Sequence, residues 1–203
     1  AGCAGSGAAS SSQAEQQAAP QQQGDDENGD MKPFSEVIPD DADTDAGLLT
    51  THQVDDKLYF EIPDSLFGRE ILMVSRQAKV PSGMGYGGQK TNTLVLHLQR
   101  RNETTVDLRV ASYEKTANPD DAVFQAVQNS SLEPILRSFD VKALNEDSTG
   151  VVVNATDLFE SDVSGLGLPD QVREEYRVGR LDGDRTYISG VESFPENTDI
   201  EAV

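Results

Sequence analysis

The sequence predicts an α+β fold, a mainly antiparallel β-sheet with a few short helices, preceded by a disordered tail. Three observations predict it. Most apolar stretches alternate with period two, helical spacing is confined to short windows, and no regular βαβ alternation occurs. Residues 1–32 contain no Val, Ile, Leu, Phe or Tyr. Ordering a residue costs roughly 1–2 kcal/mol of backbone entropy, and this stretch has almost no apolar area to offset it. It reads as a flexible polar tether, in which an Ala/Gln helix over 13–19 would be short and marginal.

The folded part begins at "KPFSEVIP", where Phe34, Val37 and Ile38 are spaced for one helical turn. "DDADTDAG" reads as an acidic surface loop. "LYFEIPDSLFGREILMVSR" follows as strand, tight corner and strand: Leu58, Phe60 and Ile62 alternate, Asp64 opens the corner, and Gly68 can take the left-handed conformation that closes it. Ile71 to Ser75 is apolar in part on both faces, the pattern of an inner strand. A glycine-rich loop, "PSGMGYGGQKTN", leads to the best hairpin in the chain. In it, Leu94, Leu96 and Leu98 line one strand and Val106, Leu108 and Val110 the other, with "RRNE" at the turn.

"NPDDAVFQAVQNS" is the best helix. Asn118 is placed to cap it and Pro119 to fill its first position, while Val123, Phe124 and Val127 share a face. "SFDVKAL", "GVVVNATDLF" and "RTYISGVESF" read as strands, and "PDQVREEY" as a short helix. The last residues, "NTDIEAV", alternate without a stop signal, so the chain reads as ending inside a strand. The organisation expected is a tether over 1–32, a small α+β segment over 33–82 and a β-rich domain over 83–203, truncated at its C-terminus.

Charge narrows the function classes. There are 36 acidic against 16 basic residues, a net charge of −20. Such a surface repels phosphate backbones and anionic headgroups, which excludes nucleic-acid binding and a basic membrane patch. No apolar run approaches the roughly 20 residues of a membrane span, so any membrane link is covalent or indirect. A single cysteine, Cys3, rules out an internal disulfide framework.

The chemical motifs are weak. Gly83, Gly85 and Gly88 stand in G-x-G-x-x-G register, but strand periodicity follows where a dinucleotide site needs a helix. Asp41, Asp43 and Asp45 alternate as in an EF-hand loop, yet Ala46 holds the glycine position and His52 the place of the bidentate Glu, leaving only weak calcium candidates. His52 and His97 are the only histidines, and neither H-E-x-x-H nor C-x-x-C occurs, so no zinc site is expected in this chain. "DVSGLG" lacks the first glycine of a nucleophile elbow. No catalytic constellation emerges, and the catalytic residues expected are none.

One block is specific as a string. Phe34, Val37, Ile38, Gly47, His52, Lys57, the run from Tyr59 to Pro63, Ser75 and Arg76 resemble the start of a family of large bacterial secreted zinc-dependent metalloproteases. "GGQ", "ATDLFESD" and "SFPENTDI" extend the resemblance more loosely to residue 203. In that family an H-E-x-x-H helix far downstream binds zinc and activates water. The resemblance implies a non-catalytic N-terminal accessory region, a scaffold or prosegment, with zinc only in a downstream catalytic domain of the same polypeptide. That domain would be its partner. It also implies a cell-envelope setting, in which "AGC" is the end of a lipobox and Cys3 carries a lipid anchor to the membrane. The alternative is a stand-alone envelope lipoprotein acting as a binding module, with calcium as its candidate stabiliser.

Overall fold

The computed structural model describes residues 31–83, 85–113, 118, 120–130 and 132–203. Cys3, nearly all of the tether, the Ala/Gln stretch over 13–19 and Pro119 lie outside the described residues. In chain order the elements begin with α1 (Phe34–Val37), β1 (Asp43–Asp45), β2 (Thr50–Val54) and β3 (Lys57–Pro63). A 3₁₀ turn (Asp64–Leu66) leads to β4 (Glu70–Gln77), β5 (Gln89–Arg100), β6 (Thr105–Val110) and α2 (Phe124–Ser130). Next come β7 (Ile135–Leu144), β8 (Gly150–Asn154), α3 (Thr156–Glu160) and α4 (Asp170–Tyr176). After a second 3₁₀ turn (Gly183–Arg185), β9 (Ile188–Ser193) and β10 (Thr198–Ala202) end the chain.

Eight strands form one sheet in the order β1-β2-β3-β8-β7-β6-β5-β4, and every neighbouring pair is antiparallel. A mainly antiparallel sheet with a few short helices is thus what the sequence folds into. The expected hairpin is present, with Leu96 opposite Val110 and Leu98 opposite Leu108. The corner after β3 closes at Gly68, whose φ of 74° suits glycine alone without strain. That corner does not return the chain beside β3; it carries it to the far edge of the sheet, and β3 pairs with β8 instead. The expected division at 82/83 falls within the connection between β4 and β5, two strands that pair with each other.

The core lies on one face. Leu58, Phe60 and Ile62 of β3, Val151 and Val153 of β8, Val141 and Phe139 of β7, and the hairpin leucines meet there under Leu158 of α3. Ile188, Val191 and Ile200 bring the β9–β10 hairpin against the same cluster. Each fully buried aliphatic side chain contributes about 1.5–3 kcal/mol relative to exposure. On the opposite face the two halves of the sheet differ. Under α1, a small second cluster joins Ile38, Tyr59, Ala143 and Val152. Toward β6 and β5, that face carries Asp107, Arg109, Ser138 and His97 instead.

Four expectations are corrected. "ILMVS" is not an inner strand: β4 is the edge of the sheet, with Leu72 65% and Val74 42% exposed, so its two-sided apolarity reflects an uncovered surface. "DDADTDAG" is not wholly loop, because Asp43–Asp45 pairs with β2 as the other edge. "GVVVNATDLF" is not one strand. Pairing with β3 ends at Asn154, whose side chain accepts from Thr156 N–H, and α3 begins there to set Leu158 on the core. The helix expected from Asn118 starts only at Phe124; Asn118 instead bonds Asp120 N–H in a preceding turn, and Val123 is exposed.

Candidate functional site

Two polar clusters sit on the face of the sheet opposite the main core, and among the described residues they hold the buried polar side chains of His52, Asn145 and Asp107. The first is built by pairing register. Thr44 of β1 lies opposite His52 of β2, and His52 lies opposite Tyr59 of β3, which puts Glu61 on the same face one diagonal step away. His52 is 3% exposed. Its Nδ1 is 2.8 Å from Thr44 Oγ1 and its Nε2 is 3.3 Å from Glu61 Oε2. The tautomer protonated at Nε2 satisfies both contacts, donating to Glu61 and accepting from the Thr44 hydroxyl. The other carboxylate oxygen of Glu61 accepts from Asn145 Nδ2 at 2.9 Å, and Asn145 Oδ1 accepts from Gly150 N–H at 2.8 Å. The Phe34 ring meets the imidazole edge-on at 5.9 Å between centroids.

Hydroxyl, imidazole and carboxylate in series are the residue types of nucleophilic catalysis. The geometry here argues otherwise. Both ring nitrogens are occupied within the protein, Phe34 stands against the ring, and Thr44 sits within a paired strand rather than on a turn. The chain of bonds ties β1, β2 and β3 to the β7–β8 turn and leaves the imidazole no approach to a substrate. A shallow open cleft of about 420 Å³ adjoins it, lined among others by Lys32, Phe34, Asn145 and Glu146.

The second cluster centres on Asp107 of β6, whose neighbours Val106 and Leu108 point into the main core. Its carboxylate is fully buried and receives the Arg101 guanidinium in a two-pronged bond, with Nε donating to Oδ2 at 2.9 Å. Ser138 of the paired strand β7 donates to Oδ1 at 2.7 Å, and Arg109 Nη2 lies 3.5 Å from Oδ2. Burial pushes the Asp107 carboxyl up. The Arg101 and Ser138 hydrogen bonds and the charges of Arg101 and Arg109 outweigh it and hold the group below the ordinary carboxylate range. Arg109 Nη1 also donates to the Glu133 carbonyl, and His97 Nε2 lies 3.1 Å from the Glu133 carboxylate. A carboxylate so engaged stays ionised and exchanges no proton near neutrality; it pins the β5–β6 turn to β7.

The sequence candidates fall elsewhere. Asp41 stands in a turn, and Asp43 and Asp45 lie on one side of the edge strand β1, all exposed. Asp45 is taken up structurally, its Oδ2 accepting from Ser193 N–H at 2.7 Å to hold the β9–β10 hairpin. Among the described residues no three His, Cys, Asp or Glu gather into a group able to hold a metal ion. Gly83, Gly85 and Gly88 all have positive φ in the β4–β5 connection, and strand β5, not a helix, follows them. His52 and His97 face two different clusters, each with its own glutamate. Cys3 lies outside the described residues.

Sequence reasoning missed Asp107 and Asn145. The only signal for Asp107 was a carboxylate between two core valine and leucine positions with Arg101 and Arg109 nearby, and nothing local marked Asn145 as buried.

Residues 31–80, from just before α1 through β4, match the family described as "Domain of unknown function (DUF5118)". Residues 88–203, from just before β5 to the end, match "Domain of unknown function (DUF5117)". The strands of both matches interleave in a single sheet, β3 pairing with β8 and β4 with β5. No curated protein and no solved structure matches the chain. With more than half of its length matched, the chain belongs to the DUF5117 family of domains of unknown function, and a DUF5118 segment precedes that domain and completes its sheet.

Proposed function

We propose that this chain is the non-catalytic N-terminal accessory region of a cell-envelope zinc-dependent metallopeptidase, tethered to the membrane by a lipid on Cys3. The observation that carries the reading is the block from Phe34 to Arg76, whose residues resemble the start of that protease family and here build α1 through β4. The matched positions do framework work. A side chain at Gly47 would meet Phe194 O at 2.5 Å, His52 closes the first polar cluster, and Tyr59 to Pro63 run through both apolar clusters. A frame of this kind suits a scaffold or prosegment that braces a catalytic domain following it in the same polypeptide.

Zinc, on this reading, belongs to that downstream domain. The described residues bring no three His, Cys, Asp or Glu side chains together. The surface charge of −20 supports a covalent rather than an electrostatic link to the membrane, and a thiol at the head of a 30-residue polar stretch gives such a link reach.

The test is enzymological. The chain alone should leave casein intact, and the polypeptide extended to an H-E-x-x-H segment should cleave it in a chelator-sensitive way. Chelator-sensitive cleavage by the pure chain itself would overturn the proposal. So would a reading frame that ends shortly after Val203, which favours the stand-alone binding module. For the anchor, Cys3→Ser in the full-length protein should move it from the membrane to the soluble fraction; unchanged fractionation would remove the lipid from the proposal.

A further inference from the structure

The two edges of the sheet are unlike. β1 is three residues long, all exposed, and carries Asp43 and Asp45. Short charged edges of this kind resist pairing with another strand. β4 is eight residues long and holds neither Lys nor Pro. Among the described residues the only backbone hydrogen bond to β4 beyond its pairing with β5 is Gly88 N–H to the Gln77 carbonyl. The one register shift between β4 and β5, from Ser75 opposite Asn92 to Arg76 opposite Lys90, places its extra residue, Thr91, on β5. β4 therefore alternates without interruption. Ile71 and Met73 pack on the core, whereas Glu70, Leu72, Val74 and Arg76 face outward.

The outward row reads acid, apolar, apolar, base. That order is self-complementary when the strand is laid antiparallel against a copy of itself with the twofold axis at Met73. Glu70 then faces Arg76 of the second copy, Leu72 faces Val74, and the two core faces stay on the same side of the joined sheet. Sliding the register by two residues sets Glu70 against Val74 in one direction and Arg76 against Leu72 in the other, and either slip loses both charge pairs. We infer that β4 is a homodimerisation edge, pairing antiparallel with β4 of a second copy of this chain across a twofold axis at Met73. The pairing covers Leu72 and Val74, and it closes at two because a twofold contact uses the same edge on both copies and leaves the joined sheet ending in the two charged β1 strands. This inference is independent of the proposed role beside a peptidase.

Sedimentation equilibrium on the intact chain, in reductant so that Cys3 forms no disulfide, tests it. At about 0.15 M salt, where repulsion between the acidic surfaces is screened beyond roughly 8 Å, the mass should rise with concentration to twice that of the chain and no further. Arg76→Glu alone, or Glu70→Arg alone, sets like charges opposite each other twice and should weaken association by roughly tenfold or more. The combined Glu70→Arg/Arg76→Glu variant restores both pairs in reversed order and should recover the dimer. Both sites are exposed positions, and unchanged thermal melts at concentrations where the wild-type chain is monomeric would exclude misfolding as the cause. A wild-type chain that stays monomeric to concentrations on the order of 1 mM would overturn the inference. So would single reversals without effect, a double variant that does not recover, or assembly beyond two copies.

Discussion

Two polar clusters lie on one face of the same sheet, and they solve the problem of burying polar groups differently. Around Asp107 the solution is charge: one fully buried carboxylate faces Arg101, Arg109 and the Ser138 hydroxyl. Around His52 it is a relay of bonds, Thr44 to His52 to Glu61 to Asn145 to the backbone of Gly150. The charged cluster is intolerant of losing its centre, since what remains is cationic and still partly buried. The relay can lose one link and keep the others. Both tie strands of the sheet together, the first β5–β6 to β7 and the second β1–β3 to the β7–β8 turn.

The largest difference should come from removing each centre. Asp107→Ala leaves Arg109 partly buried with no carboxylate, and breaking a buried pair from one side costs about 3–5 kcal/mol. The lower end is expected, about 3 kcal/mol by urea unfolding, because Arg101 is 47% exposed and can turn to solvent. A loss under about 1 kcal/mol would remove the distinction between the clusters. In the relay, Asn145→Ala strips the buried Gly150 N–H of its acceptor and Glu61 of a donor. An unsatisfied buried group costs about 1–3 kcal/mol, so a loss near 2 kcal/mol is expected, with the β7–β8 turn first to lose amide-exchange protection. His52→Gln, which keeps a side-chain donor and acceptor on β2, should cost about 1 kcal/mol; an equal loss at His52 and Asn145 would mean that the relay behaves as a single unit.

How far this was legible in the sequence depends on the range of the interaction. The β5–β6 hairpin was readable because its turn is short and Leu98 and Leu108 advertise their pairing by alternation. The sheet order was not, because β3 and β8 are brought together by burial of Phe60 and Val153, 93 residues apart, and no local pattern announces a partner at that distance. β4 was misread for an instructive reason. Apolar residues on both faces mean either two covered faces or one covered face and one bare, and Leu72 and Val74 belong to the second case. The polar clusters stayed hidden because a carboxylate on a strand reads as solvent-facing unless its partners are known. Ser138, 31 residues from Asp107, and Asn145, 84 from Glu61, are not visible from either side.

The same comparison extends to pH, where the effect is smallest under ordinary conditions and grows only in acid. The folded-state pKa of Asp107 is depressed, so the group contributes stability that is fully present above its unfolded value, about 3.9, and is lost as pH falls through the lower folded value. Asp107→Asn keeps the shape and removes the titration. The stability gap between wild type and this variant should therefore be flat from about pH 5 to pH 8 and narrow steadily below about pH 4. Urea unfolding at a series of pH values reads the gap directly. A gap that instead widened in acid would mean that burial, rather than the Arg101 and Ser138 bonds, dominates at Asp107, and that the carboxylate is held in place against its own preference for the neutral form.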